Sequence, residues 1–421
     1  MAMTLVQKIL ARAAGRDSVV EGEIVWAAPD LVTVPEVSFP AYVKRLRDIG
    51  IARFAAPERL AVVIDHEVPV HSAAGAERNR ATRRLAAETQ VGHLFDGQGI
   101  THPLVVERGL VAPGMFVAGA DTHTPGIGGV GALAMPFGME VTMPMARGDI
   151  WLRVPETLRV RVDGALRPGV GARDIVLAAM RRIDDELAAY AVIEYVGSTI
   201  DTLGIAERMT IAGLSIDTGA DAGIVPADAR IAEALRAMGV AGAAPLAGDA
   251  DAPVRREIRI DAATLSPQVS VPPSPTHVRD ATELAGVRID HAYIGSCASG
   301  SLAELQAAAA LLDGRRVHPD VQLLVIPATR RVYEAAMEDG TLATLVRAGA
   351  TLSAPTCGPC FGGLAQLDAG EVRISTSTRN DPGRMGHREA SIYLASALTV
   401  AASAVAGRIT DARALMAGGT P

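Results

Sequence analysis

The chain has 421 residues, 49% of them hydrophobic but only 3% aromatic, with 42 glycines and 25 prolines. Lys and Arg total 40 against 47 Asp and Glu, a formal net charge of −7, which gives no electrostatic reason to expect nucleic acid or an anionic membrane as partner. No apolar run approaches the roughly 18 residues that a membrane span needs. The opening "MAMTLVQKILARAAGRDSVV" lacks the apolar stretch of a secretory signal, and a cytoplasmic location is expected.

In chain order, that opening reads as an amphipathic, basic helix. "LAVVID" (60–65), "HAYIGS" (291–296) and "VQLLVIPA" (321–328) read as buried strands, short and rich in Val and Ile between turn residues. "SLAELQAAAALLDG" (301–314) predicts a helix capped by Ser301 and stopped near Gly314, and "TRRVYEAAMEDG" (329–340) repeats the recipe. Alternating strands and helices imply parallel sheets covered by helices, an α/β protein. Composition shifts divide the chain into three α/β regions, 1–153, 154–280 and 281–421. Ala-, Gly- and Pro-rich stretches at 239–260 and 265–278 read as linker or surface, and "RALMAGGTP" (413–421) as a loose tail.

The chain has three cysteines. An odd count with a CxxC pair argues against a disulfide framework. Cys357 and Cys360 lie in "SAPTCGPCFGG", where Gly and Pro let the backbone wrap closely around something. Cys297, in "AYIGSCASGSL", ends a strand and precedes a helix N-terminus, a setting that favours thiolate. Thiolates select zinc or iron–sulfur clusters. Three thiolates and one of nine histidines could close a zinc site. Three alone leave one iron of a cluster open to substrate. Three ordinary buried thiols remain the simpler alternative.

These segments resemble the aconitase superfamily, and within it the large-subunit family of 3-isopropylmalate dehydratases. "LVQKILARAAG", "VVIDHEVP", "GITHPL", "GADTHTPGIGGVGALA", "RMTIAGLSIDTGADAGIVP", "YIGSCASG", "TCGPCFGG" and "STSTRNDPGRMG" occur in that family's order along nearly the whole chain. The resemblance implies three α/β/α domains around a central cleft, without the fourth swivel domain. It implies a [4Fe–4S] cluster held by Cys297, Cys357 and Cys360. The partner it implies is a small subunit carrying the swivel domain with a catalytic serine. The expected substrate is a small hydroxy dicarboxylate.

Removing water across adjacent carbons needs a Lewis acid for the hydroxyl, an acid to help it leave and a base for the proton. Asp65, His66, His102, Asp121, His123 and Asp217 are the candidate acid–base residues, with Asp65 and Asp121 as orienters of neighbouring imidazoles. Thr122, Arg379 and Arg384 are the candidate substrate contacts, since guanidinium forks pair with carboxylates. "GIGGVG" (126–131) is neither GxGxxG nor a Walker motif and reads as a turn that lets backbone approach the site. The remaining histidines, His71, His93, His277, His291, His318 and His387, read as structural.

Several positions depart from the resembling family. Pro35 and Glu36 stand where it offers an amide or histidine and an Asp. Thr122 replaces Ser, Gly126 and Gly213 replace Asn, Asp217 replaces Glu, Thr378 replaces Asn, and "GSCASGS" lacks Thr-Asn after the cysteine. Two alternatives follow. One is a paralogous hydratase for another malate derivative, of maleate, citraconate or dimethylmalate type. The other is a non-catalytic cluster- or zinc-binding protein.

Overall fold

The computed structural model describes residues 2–416. The chain forms two compact units: residues up to Val162 together with Asp184–Ile260, and Asp163–Ile183 together with Asp261 onward.

The first unit is built on a five-stranded sheet in the order His93–Asp96, Leu60–Ile64, Leu31–Pro35, Phe116–Gly119, Leu133–Pro136, parallel throughout. Leu31–Pro35 and Leu60–Ile64 are buried at every position, which is why they read as continuous apolar runs. Their side chains alternate between two cores. Val32, Val34, Leu60 and Val62 meet Phe39, Val43 and Leu46 of the helix Phe39–Asp48. Leu31 and Ala61 meet Val105, Val106, Ile231 and Leu235 on the other face. A second sheet runs Ala222–Ile224, Ala191–Val196, Glu156–Asp163, Arg256–Asp261.

The predicted turn "GIGGVG" is a fully buried 3₁₀ segment, Thr124–Val130. A Cβ on Gly128 would lie 2.1 Å from the Gly223 carbonyl oxygen, and one on Gly129 would lie 2.4 Å from the Met209 nitrogen. These glycines let the segment pack against the helix Ile205–Leu214 and the strand Ala222–Ile224.

The second unit centres on a seven-stranded sheet: Val278–Asp280, Gln268–Ser270, Ser391–Ala395, Val372–Ser375, His291–Ile294, Gln322–Val325, Thr351–Leu352. The last five strands are parallel, and the first two join antiparallel. The helix Leu302–Leu312 begins at Ser301, whose hydroxyl and the Glu304 carboxylate form a reciprocal cap. Thr329 caps Arg330–Glu338 in the same unit.

Two expectations are corrected. The stretch 265–278 is not surface linker, because Gln268–Ser270 is a fully buried strand. The stretch 239–260 ends in the strand Arg256–Asp261. The tail expected from 413 begins as the helix Ala412–Met416, with Leu415 buried. The rest of that tail, 417–421, lies outside the described residues.

Candidate active site

Parallel sheets gather functional loops at the carboxyl ends of their strands, and both units do so. In the first unit, Leu31–Pro35 runs into Glu36, Leu60–Ile64 into Asp65 and His66, and Phe116–Gly119 into Asp121 and His123. These three strands are adjacent. His102 enters from the first turn of the helix Thr101–Glu107.

Asp65 links two of these groups. Its Oδ1 lies 2.7 Å from Nδ1 of His66, while its Oδ2 accepts from the Thr101 main-chain nitrogen at 2.7 Å and the Thr101 hydroxyl at 2.9 Å. One carboxylate thus orients an imidazole and caps the helix that carries His102. Asp121 faces two rings, 3.8 Å from His66 Nε2 and 3.5 Å from His102 Nε2, and accepts from the His123 main-chain nitrogen at 2.8 Å. His123 Nε2 is 3.3 Å from Asp217 Oδ2. The six candidate acid–base residues therefore form one chain of contacts. Thr122 is exposed beside them.

The charges differ from ring to ring. Burial opposes protonation of His66, but Asp65 and Glu36 outweigh it and raise its pKa well above the ordinary value. Burial lowers that of His102, and neither of its ring nitrogens has a hydrogen-bond partner among the described residues. Burial would raise the Asp121 carboxyl, yet His102, His123 and His66 bring it down to about 2. One protonated and one neutral imidazole beside a shared carboxylate can both give and take a proton.

In the sequence Glu36 stands out only as a departure from the resembling family. Its side chain is fully buried, and it accepts from the main-chain nitrogens of Asp65 (3.2 Å), His66 (2.8 Å) and Glu67 (2.9 Å). Burial would raise its pKa, and the His66 ring and these N–H groups hold it low instead. Glu36, Asp65 and His66 bring ligand atoms within 4.8 Å of one another. Both Glu36 oxygens are nevertheless engaged by main-chain donors, so the group is a hydrogen-bonded brace for the His66 loop and not a cation cage. The sequence marks Glu36 only as an acid directly after the apolar run "LVTVP"; its burial beside the strand bearing Asp-His comes from the fold.

In the second unit Cys297 follows the strand His291–Ile294, Cys357 and Cys360 follow Thr351–Leu352, and Arg379 follows Val372–Ser375. The cysteines share one neighbour. The fully buried Tyr293 has its hydroxyl 3.8 Å from Cys360 Sγ, and all three sulfurs as thiolates act, after burial, to raise its pKa. Ser296, directly before Cys297, takes φ 107°, a strained value for a residue with a side chain. Thr376 ties the loops: its hydroxyl donates to the Gly295 carbonyl at 2.7 Å, while its own carbonyl accepts from the Ser296 hydroxyl at 2.9 Å. A Cβ on Gly362 would lie 3.1 Å from the Arg384 carbonyl oxygen. Arg379 and Arg384 are half-buried, and Arg384 Nε has no hydrogen-bond partner among the described residues. His291, His318 and His387, read as structural, contact Glu371, Asp320 and Glu389 respectively.

Three soft donors on two loops, one of them against a buried phenol, fit an iron–sulfur cluster. The fold and these residues define an α/β hydro-lyase. The profile of the aconitase family (aconitate hydratase) matches residues 7–284 and 276–407, and the chain belongs to that family. It is 41% identical over 98% of its length, and 99% of the relative's, to "3-isopropylmalate dehydratase large subunit 1" of Methanopyrus kandleri. It is 40% identical over 97% of its length, and 98% of the relative's, to the 3-isopropylmalate dehydratase large subunit of Moorella thermoacetica. The crystal structure of Thermococcus kodakaraensis aconitase X in its holo form shares the fold, with TM-score 0.50 over 89% of each chain at 12% identity. These likenesses favour the hydro-lyase over the non-catalytic alternatives. Among the described residues no helix is long and apolar enough to cross a membrane.

Proposed function

We propose that this chain is the large subunit of a dehydratase acting on 3-isopropylmalate, with a [4Fe–4S] cluster on Cys297, Cys357 and Cys360 and a separate small subunit as partner. The Cys360 sulfur 3.8 Å from the buried Tyr293 hydroxyl, with Cys357 packed in the same cluster and Cys297 on the loop after the Tyr293 strand, supports the reading, and two relatives with the large-subunit name support the substrate and the partner. Bound there, the cluster supplies Lewis acidity toward the substrate hydroxyl.

The chain's own residues do the rest. His66, protonated and held by Asp65, donates its proton from Nε2 to the departing hydroxyl. Glu36 fixes the loop that carries it. His102, kept neutral by burial, lines the same region without taking a proton, and Asp121, 3.5 Å from its Nε2, steadies both rings. Asp217 holds His123. The Arg379 and Arg384 guanidiniums bind the two substrate carboxylates, with Thr122 as a hydroxyl contact. The carbon-bound proton is left to a serine of the small subunit, the role that the family resemblance implies.

The test is co-expression with the small-subunit gene, anaerobic reconstitution, and assay of 3-isopropylmalate beside maleate, citraconate and dimethylmalate. Efficient turnover of 3-isopropylmalate is expected. Turnover of only the smaller diacids would leave the hydro-lyase standing and overturn the substrate.

A further inference from the structure

The loops bearing Cys297 and Arg379 are joined by a cation that the dehydration does not use. Arg173 lies in the first turn of the helix Ala172–Met180 and is 4% exposed. Its Nη1 donates to the Ser377 carbonyl at 2.9 Å, and its Nη2 to the Thr376 carbonyl and, at 3.4 Å, to the Ala298 carbonyl. Ala298 follows Cys297, and Thr376 and Ser377 lead into Arg379. A single planar fork therefore sets the spacing of both loops.

Carbonyls satisfy donors but carry no formal charge, and a buried cation ordinarily needs a counter-charge. Two nearby acids supply part of it. Glu304 is the largest of the charges acting on Arg173, although its oxygens also accept from Ser299 and Ser301 at the cap of its own helix. Burial pushes the Asp174 carboxyl up to about 7, and both its oxygens accept main-chain N–H groups from Gln268 and Gly171. The other anions acting on Arg173 are Cys297 and Cys360 as thiolates.

We infer that Arg173 is the counter-cation and positioning residue of the cysteine site, holding the Cys297 loop against the Arg379 loop and stabilising the negative charge of the thiolate-bound cluster. The inference rests on the reading of the three cysteines as cluster ligands. It predicts that the charge and the fork of Arg173 act separately. Reduction adds negative charge beside the guanidinium, so removing the cation makes reduction harder. Losing the fork loosens the Cys297 loop and speeds iron loss.

The experiment reconstitutes wild type, Arg173→Met and Arg173→Lys with iron and sulfide anaerobically. It reads the cluster's midpoint potential and the rate of iron release to a chelator. Arg173→Met should lower the potential and release iron about 10- to 100-fold faster, the usual cost of losing a partner that braces a ligand. Arg173→Lys should keep the wild-type potential and still release iron faster. A role in folding alone would lower the thermal stability of the apo-protein in both variants and leave the potential unmoved, and that result overturns the inference. Should Arg173→Met not fold, Arg173→Lys decides it, and release at the wild-type rate refutes it. A wild-type chain that takes up no iron refutes the cluster reading itself, and this inference with it.

Discussion

Glu36 accepts a 2.8 Å hydrogen bond from the main-chain nitrogen of His66, the residue whose ring it also charges from 3.6 Å. Backbone and side chain of one histidine are thus controlled by the same buried carboxylate. Glu36→Gln puts an amide donor among three converging N–H groups. We expect a loss of about 2 kcal/mol in stability and a fall in kcat on the order of 10²-fold, as for a group displaced from its reacting position. KM should change little. A steady-state comparison checks this, and an unchanged kcat would remove Glu36 from the account.

The pH profile follows from His66. Its pKa is raised, so the proton is in place below the ordinary histidine value and is lost only as pH rises through the raised one. Acid service by His66 therefore ends on the alkaline side. Asp65→Asn removes the largest charge that raises it, and the alkaline limb of kcat/KM should move to lower pH. A limb that stays in place would show that another group sets it.

Arg379→Lys keeps the cation but loses the fork. Substrate affinity should fall, with KM for the diacid rising about tenfold or more, while the cluster content stays at the wild-type level. A rise in KM accompanied by iron loss would assign Arg379 to the cluster loop instead of the substrate.

Gly129→Ala tests the packing of the 3₁₀ segment. Its Cβ would press on main-chain atoms of Arg208 and Met209, at 2.6 Å and 2.4 Å. Backbone cannot yield as a side chain can, so we expect destabilisation of about 1–3 kcal/mol, as for other overpacked cores. Thermal unfolding of the apo-protein reads it, and wild-type stability would contradict the packing described.

Much of this was legible in the chain. Strands buried on both faces announce themselves as unbroken Val/Ile runs, as Leu60–Ile64 does, and Ser301 and Thr329 mark their helices. The residues in the contact chain from Asp65 to Asp217 were all named from motifs. What stayed hidden depends on distant pairing. Gln268–Ser270 is short and sits among prolines, and only its partners Ser391–Ala395 and Val278–Asp280 make it a strand. Glu36 and Arg173 act on backbone far along the sequence, and no local spacing reports that. Asp217 was placed by motif, but its pairing with His123 across 94 residues is a product of the fold.

The central claim is that Cys297, Cys357 and Cys360 hold a cluster with one open corner. Metal and sulfide analysis of the anaerobically reconstituted chain tests it most directly, with Cys297→Ser alongside. The account predicts about four irons and four sulfides per wild-type chain, and loss of most of both in the variant. One zinc per chain without iron, or a full cluster in Cys297→Ser, would contradict it.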